Sequence, residues 1–329
     1  MKVALVGAGA IGGCIASRLA RHGQPVSLLV RPGQVAAVAE RGLRMREGGS
    51  VHTTHHAVAA DGAAFGPQEL VFLCVKGHGL QAAAAQFAPL IGPQTTVVSA
   101  INGIPWWFCD GLPGPLQGRH LQRVDPGGRL ARLLPAAQTV GCVVYVAAHV
   151  DAEGIVTPAP GERLVLGDAL PGGAPRAPAV AALLGAAGFA PQQAASIHRE
   201  TLVKLWGNLA ANPIGALCGA TIDQVLAQPL LANLATRMME EFAQLAGRLG
   251  LDLGMDVATR QHDMHRLAGV KSSMQQDMEA GRALELDGIV GAVAEVGDLL
   301  GVDTPFIDAV LGLLQQRAAQ AGLWTPPPR

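Results

Sequence analysis

Residues 1–13 read MKVALVGAGAIGG, and the fold turns on how this stretch is understood. KVALVG is apolar and of strand length, while AIGGCIASRLARHG, residues 10–23, has helical spacing. Gly7, Gly9 and Gly12 form GxGxxG at the junction between them. The first glycine allows a tight turn, the second lets a pyrophosphate approach the backbone, and the third lets helix and strand pack closely. A phosphate then rests on the N–H groups of Ala10, Ile11 and Gly12, at the positive end of the helix. GxGxxG alone is a weak signal. Strand, turn and helix in this order make it a dinucleotide site. The alternative of a signal-peptide core fails because three glycines interrupt the apolar run.

The first half repeats the pattern. PVSLLVR (25–31) reads as a second strand, LVFLCVK (70–76) and TTVVSAING (95–103) as buried strands, and LQAAAAQFAPLIG (80–92) as the helix between them. Near-continuous apolar runs of strand length mark a parallel sheet covered on both faces. A Gly/Pro-rich excursion spans Pro105 to Pro135, with a short helix expected in GGRLARLL. TVGCVVYVAAHV, GIVTPA and ERLVLGD suit an antiparallel extension of the sheet. AVAALLGAAG then reads as a helix and FAPQQAAS as a last edge strand. Beyond about Ile197 only helices are expected, including one through SMQQDMEAGRALELDGIVGAVAEVGDLLG. The predicted fold is an α/β Rossmann-type N-terminal domain with an antiparallel extension, residues 1–195, followed by an all-α C-terminal domain, residues 196–329.

Composition narrows the function. With 329 residues, 50% hydrophobic, 15% charged and net charge -1, the chain lacks the electrostatic footprint of a nucleic-acid binder. No apolar span of about 18 residues predicts a membrane helix. Disorder is expected only at the TPPPR tail, residues 325–329. Five scattered cysteines without CxxC spacing suggest reduced thiols in a cytoplasmic protein. His262 and His265, and the adjacent His55 and His56, lack a third ligand at a metal spacing, so no metal is expected.

The second strand chooses the dinucleotide. NAD enzymes place an acid at its end to accept from the ribose 2′-hydroxyl. Here Arg31 stands there, 22 residues after Gly9, and its guanidinium suits a 2′-phosphate bidentately. NADPH is therefore the expected cofactor; the plainer alternative is a solvated surface arginine. Lys76 and Asn102 follow strand ends, where open parallel sheets bind ligands. A solvated lysine and an Asn-Gly turn would look the same.

In KLWGNLAANP, residues 204–213, Lys204, Asn208 and Asn212 recur every four residues on one helix face, among residues ready for burial. Buried polar groups need partners, either from the protein or from a ligand. Lys204 could protonate a substrate as hydride arrives, and the asparagines could hold its oxygens.

GAGAIG, LCVKGHG, SAING, KLWGNLAANP and KSSMQQDMEAGRALELDG, in this order, resemble the ketopantoate reductase (2-dehydropantoate 2-reductase) family across nearly the whole chain. The resemblance implies a Rossmann-type domain, a helical domain, an active site in the cleft between them, and NADPH-dependent reduction of a 2-oxo acid in pantothenate synthesis. Lys204 matches the family's general acid and Glu285 its acidic partner. Asn208, Asn212 and Ser273 match substrate contacts, Asn102 lies near cofactor and substrate, and Arg31 and Lys76 match cofactor contacts. A homodimer is compatible with the resemblance.

Three features strain the match. Ser272 with Gln275, or Ser273 with Gln276, also fits a capping box, so either serine could simply start a helix. An unbroken helix would hold Ser273 and Glu285 about 18 Å apart, too far to share a small acid. The 105–135 excursion is longer than the simplest members need, and Trp106 and Trp107 are either local packing or a lid. Two rivals stay in view: an opine-type imine reductase, and a non-catalytic NADPH sensor.

Overall fold

The computed structural model describes residues 1–159 and 161–325; the end of the TPPPR tail, on which the disorder expectation falls, lies outside the described residues. The chain divides into two compact units, residues 1–101 with 129–197, and residues 102–128 with the helical remainder from His198.

Unit 1 opens with β1 (Val3–Val6), α1 (Ala10–Arg21), β2 (Ser27–Leu29), α2 (Val35–Arg41), β3 (Leu43–Glu47), β4 (Ser50–Thr54), β5 (Ala57–Ala59) and β6 (Leu70–Leu73). It continues through α3 (Gly77–Phe87), β7 (Thr96–Ser99), α4 (Arg129–Leu133), β8 (Thr139–Val144), β9 (Ala148–Val150), β10 (Ile155–Pro158), β11 (Arg163–Asp168), α5 (Ala177–Ala186) and β12 (Ala190–Gln193). Eight strands form one sheet in the order β12-β11-β8-β7-β6-β1-β2-β5. All pairs are parallel except β8 with β11, which is antiparallel. β1 sits between β2 and β6 with Leu5 opposite Leu28 and Phe72, and all three side chains are fully buried. Connections leave β1 toward β2 on one side and reach β6 on the other. This is the switch point at which such sheets open a crevice beyond their carboxyl ends.

The structure corrects the extension. Of the three stretches assigned to it, only β8 and β11 join the large sheet; β9 and β10 belong to a separate four-stranded sheet, β4-β3-β10-β9. Strands β3 and β4, which the sequence analysis did not anticipate, complete it. In β3 the side chains alternate, with Leu43 and Met45 inward, and β4 is largely exposed up to buried Thr54, so both lack the continuous apolar run that marked the others. This second sheet covers the outer side of α1. A Cβ at Gly12 would overlap the Gly7 carbonyl oxygen and meet Leu5, whereas one at Gly13 would lie 2.8 Å from Val156 in β10. Helix α1 is thus pressed between two sheets.

Near its end, α1 is fixed by buried Arg18. Its guanidinium pairs with Glu47 at 2.8 Å and Glu162 at 3.0 Å, donates to the Gly188 carbonyl, and lies 4.8 Å above the Phe189 ring. A buried cation is tolerated when several partners surround it.

Unit 2 contains α6 (Ile197–Cys218), α7 (Ile222–Ala227), α8 (Pro229–Arg248), α9 (Val257–His265), α10 (Ser273–Glu279), α11 (Ala292–Leu300) and α12 (Pro305–Gln320). The segment 102–128 belongs here and not with the residues that flank it in sequence. Its Phe108, Leu112, Leu116 and Leu121 share one core with Leu205, Trp206 and Leu209 of α6. Trp106 and Trp107 are buried, and Trp107 packs edge-on against His198 within this unit, as local packing requires. The long helix expected through residues 273–301 is broken: α10 stops at Glu279, and a π-helical turn, Asp287–Gly291, precedes α11. The 18 Å separation of Ser273 and Glu285 on one straight helix therefore does not apply.

His198, in the first turn of α6, lies 5.4 Å from Trp107 and 5.3 Å from Phe108, ring centre to ring centre. Burial pushes its pKa down from 6.5 to about 4, partly offset by a hydrogen bond to the Phe108 backbone. The unfolded chain takes up this proton first as pH falls. Stability is therefore full above pH 6.5 and declines toward pH 4 at about 1.4 kcal/mol per unit from this group. Denaturant titrations at pH 7 and 5 should show this loss, and His198→Gln should shrink it.

Candidate active site

The glycine turn has the shape its spacing implies. Gly7 follows β1 with φ +94°, a backbone region that a side chain would strain, and a Cβ there would strike Val75. Gly9 has open space where a Cβ would project, and Gly12 is closed by the Gly7 carbonyl. The backbone amides of Ala10 and Ile11 open α1, which carries no acidic side chain in its first turn. An open position at the second glycine, beside unopposed helix N–H groups, fits a pyrophosphate. Arg31 is exposed two residues beyond β2, and its Nε reaches the Gln34 amide oxygen at 3.4 Å. Lys76 is the residue that precedes α3, three positions beyond β6. These residues could hold a dinucleotide along the carboxyl edge of the sheet.

In unit 2 the polar stripe lies on α6 as its periodicity requires. Lys204 and Asn208 are half-buried and Asn212 is buried. Around them Leu205, Trp206, Leu209 and Ala210 face the core, and the Trp206 indole N–H donates to the Met239 carbonyl at 2.9 Å. The Lys204 ammonium donates to Asn102 Oδ1 at 2.6 Å. Two residues that are 102 apart in sequence are thereby joined. Asn102 is held in turn by its successors. The Ile104 N–H donates to the Gly288 carbonyl at 2.8 Å, and Gly103, at φ +82°, packs directly on that same carbonyl.

Glu285 is half-buried and lies just before the π-helical turn. Ser273 is exposed at the first position of α10. The cap is Ser272, whose Oγ accepts the Gln275 N–H at 3.1 Å. The box is incomplete, because the Gln275 side chain turns to Glu279 instead. Ser273 Oγ is therefore not used for capping. Sequence reasoning missed the ties around Glu285: Asp287 accepts from Trp324 Nε1 at 2.8 Å and from Arg123 at 3.4 Å. No spacing rule connects residues 123, 287 and 324. The only hint was the acid and glycine that follow Glu285 in ELDG.

Two family models match, described as "Ketopantoate reductase PanE/ApbA" over residues 3–170 and "Ketopantoate reductase PanE/ApbA C terminal" over residues 196–318. The chain belongs to the ketopantoate reductase family. It is 38% identical over 326 residues to a 2-dehydropantoate 2-reductase of Mesorhizobium japonicum, covering 99% of this chain and 100% of that protein. A crystal structure of a candidate ketopantoate reductase from Ralstonia solanacearum MolK2 superposes with TM-score 0.93 at 40% identity, covering 98% and 99% of the two chains. A 2-dehydropantoate 2-reductase from Geobacter metallireducens superposes with TM-score 0.83 at 25% identity, covering 96% and 100%. The chain is accordingly an oxidoreductase that uses a pyridine nucleotide and a small-molecule substrate. Among the described residues, no helix is long and apolar enough to cross a membrane.

Proposed function

We propose that this family member reduces a 2-oxo acid, ketopantoate or a close analogue, to the 2-hydroxy acid with NADPH. The observation that supports this most is the Lys204 ammonium, half-buried and oriented by Asn102 at 2.6 Å. An amine held in this way can present a proton in a fixed direction, which a solvated lysine cannot.

When bound, NADPH supplies the hydride that adds to the ketone carbon. The carbonyl electron pair moves to oxygen, and Lys204 gives that oxygen its proton. Glu285 orients the ammonium and accepts from a substrate hydroxyl. Asn208, Asn212 and Ser273 hold the remaining oxygens, the carboxylate among them. Gly7, Gly9, Ala10, Ile11 and Gly12 would receive the pyrophosphate, Arg31 the 2′-phosphate, and Lys76 with Asn102 the nicotinamide half.

A panel of 2-oxo acids, ketopantoate included, followed by NADPH absorbance with NADH in parallel, tests the assignment. Turnover of ketopantoate or an analogue without added amine is expected; oxidation that requires an amine would favour the imine reductase. Arg31→Ala should narrow the preference for NADPH over NADH about tenfold, the worth of one charge-assisted hydrogen bond. If the wild type uses both cofactors equally, Arg31 does not read the phosphate.

A further inference from the structure

Glu285 has no regular structure of its own to fix it. Helix α10 ends at Glu279, and residues 280–285 carry no helix or strand before the π-helical turn begins. The backbone that carries its carboxylate is therefore held by ties that the neighbouring residues make. The chain end provides them. On one side of Glu285, the Leu284 N–H donates to the Leu323 carbonyl at 3.1 Å. On the other, the Trp324 indole N–H donates to Asp287 Oδ2 at 2.8 Å. Consecutive residues just beyond α12 thus grip the chain immediately before and two positions after Glu285.

We propose that the Leu323–Trp324 turn is a clamp for Glu285, with Trp324 as a positioning residue for the reduction step. This rests on the reading of Glu285 as the partner of Lys204. Three further observations support the clamp. Asp287 Oδ1 accepts from Arg123 at 3.4 Å, so its carboxylate is held from two directions. Glu295 of α11 accepts the Gln122 and Arg123 backbone N–H groups at 2.6 and 2.9 Å, which steadies Arg123 itself. The residue after Asp287 is Gly288, whose carbonyl receives the Ile104 N–H two positions beyond Asn102. Asp287 therefore stands between the carboxylate and the segment that orients Lys204. A π-helical turn packs less well than an α-helical one, and such turns recur where a functional side chain must be re-aimed. Here the turn begins two residues after Glu285.

The Trp324 N–H acts on chemistry only through this chain of contacts, and that makes it testable. Trp324→Phe keeps an aromatic ring and removes the donor. It should lower kcat for the 2-oxo acid about tenfold, since small displacements of a reacting group are costly, while NADPH affinity and Tm stay near wild type. Asp287→Asn, close in size to the original, should give a loss of similar size and serves if Trp324→Phe is poorly folded. The deciding measurement repeats Trp324→Phe in a Glu285→Gln background. If Trp324 works through Glu285, the second substitution adds little; an independent structural effect would multiply in full. Wild-type kcat in both Trp324→Phe and Asp287→Asn would overturn the clamp, as would a full tenfold loss in both backgrounds. Wild-type turnover by Glu285→Gln alone would instead remove the reading on which the clamp rests.

Discussion

Replacing Lys204 by alanine should reduce kcat at least about 10²-fold, equivalent to about 2.7 kcal/mol of transition-state stabilisation. The substitution is mild for the fold. Position 204 lies inside the 22-residue α6, alanine is the best helix former, and the core of this helix is made by Leu205, Trp206 and Leu209 on either side of the stripe. NADPH affinity should change little, because the glycine turn and Arg31, proposed to hold its phosphates, belong to the other unit. Lys204→Arg separates charge from proton donation. Arginine keeps the cation but does not release its proton, so a variant that binds the 2-oxo acid and fails to turn it over is expected. Single-turnover rates would keep product release out of the comparison. Normal turnover by Lys204→Ala would assign the proton to another group.

How far the sequence announces this site depends on which residues carry it. The glycine turn is legible because its constraints are local: GAGAIG lies between an apolar strand and a helix, and every requirement falls within a few residues. The same holds for the stripe on α6, where a spacing of four fixes a common face. Legibility ends where a role depends on distant partners. Asn102 follows β7, as expected of a residue beyond a strand end, yet the Lys204 ammonium that it receives comes from a helix 102 positions away. The 102–128 segment looked like an excursion from the first unit because it is inserted there. Its Phe108, Leu112, Leu116 and Leu121 show where it packs, but apolar residues in a Gly/Pro-rich stretch do not name their partners.

Strands β3 and β4 and the break after Glu279 were missed for a related reason. Half-buried strands alternate polar and apolar residues, and LRMRE and SVHTT hold too few large apolar side chains to stand out from a loop. Conversely, GRALELDGIVGAVAEV keeps a helical composition through a stretch that is not helical at its start. There Leu284 donates to Leu323, Asp287 binds Trp324 and Arg123, and tertiary bonds override propensity. The part of the proposed site most dependent on such bonds surrounds Glu285.

Gly103→Ala should damage the second unit more than any other conservative change near the proposed catalytic lysine. Gly103 has φ +82°, and the left-handed region costs a side chain about 1–2 kcal/mol. Its Cβ would also overlap the Gly288 carbonyl oxygen, with Gly288 Cα at 3.1 Å. Backbone cannot swing aside as a long side chain can, so the two segments must part. The 2.8 Å bond from the Ile104 N–H to that carbonyl is then lost, at about 1–3 kcal/mol if the groups stay buried. Together these terms reach about 2–5 kcal/mol, a large share of the 5–15 kcal/mol that holds a typical domain. Denaturant midpoints should fall accordingly. Where the variant stays folded, kcat should fall as well, because Asn102 is the preceding residue and Glu285 lies three positions before Gly288. A Gly103→Ala protein with wild-type stability would mean that the two segments part without penalty, and the connection from Asn102 to the Glu285 segment would carry no weight.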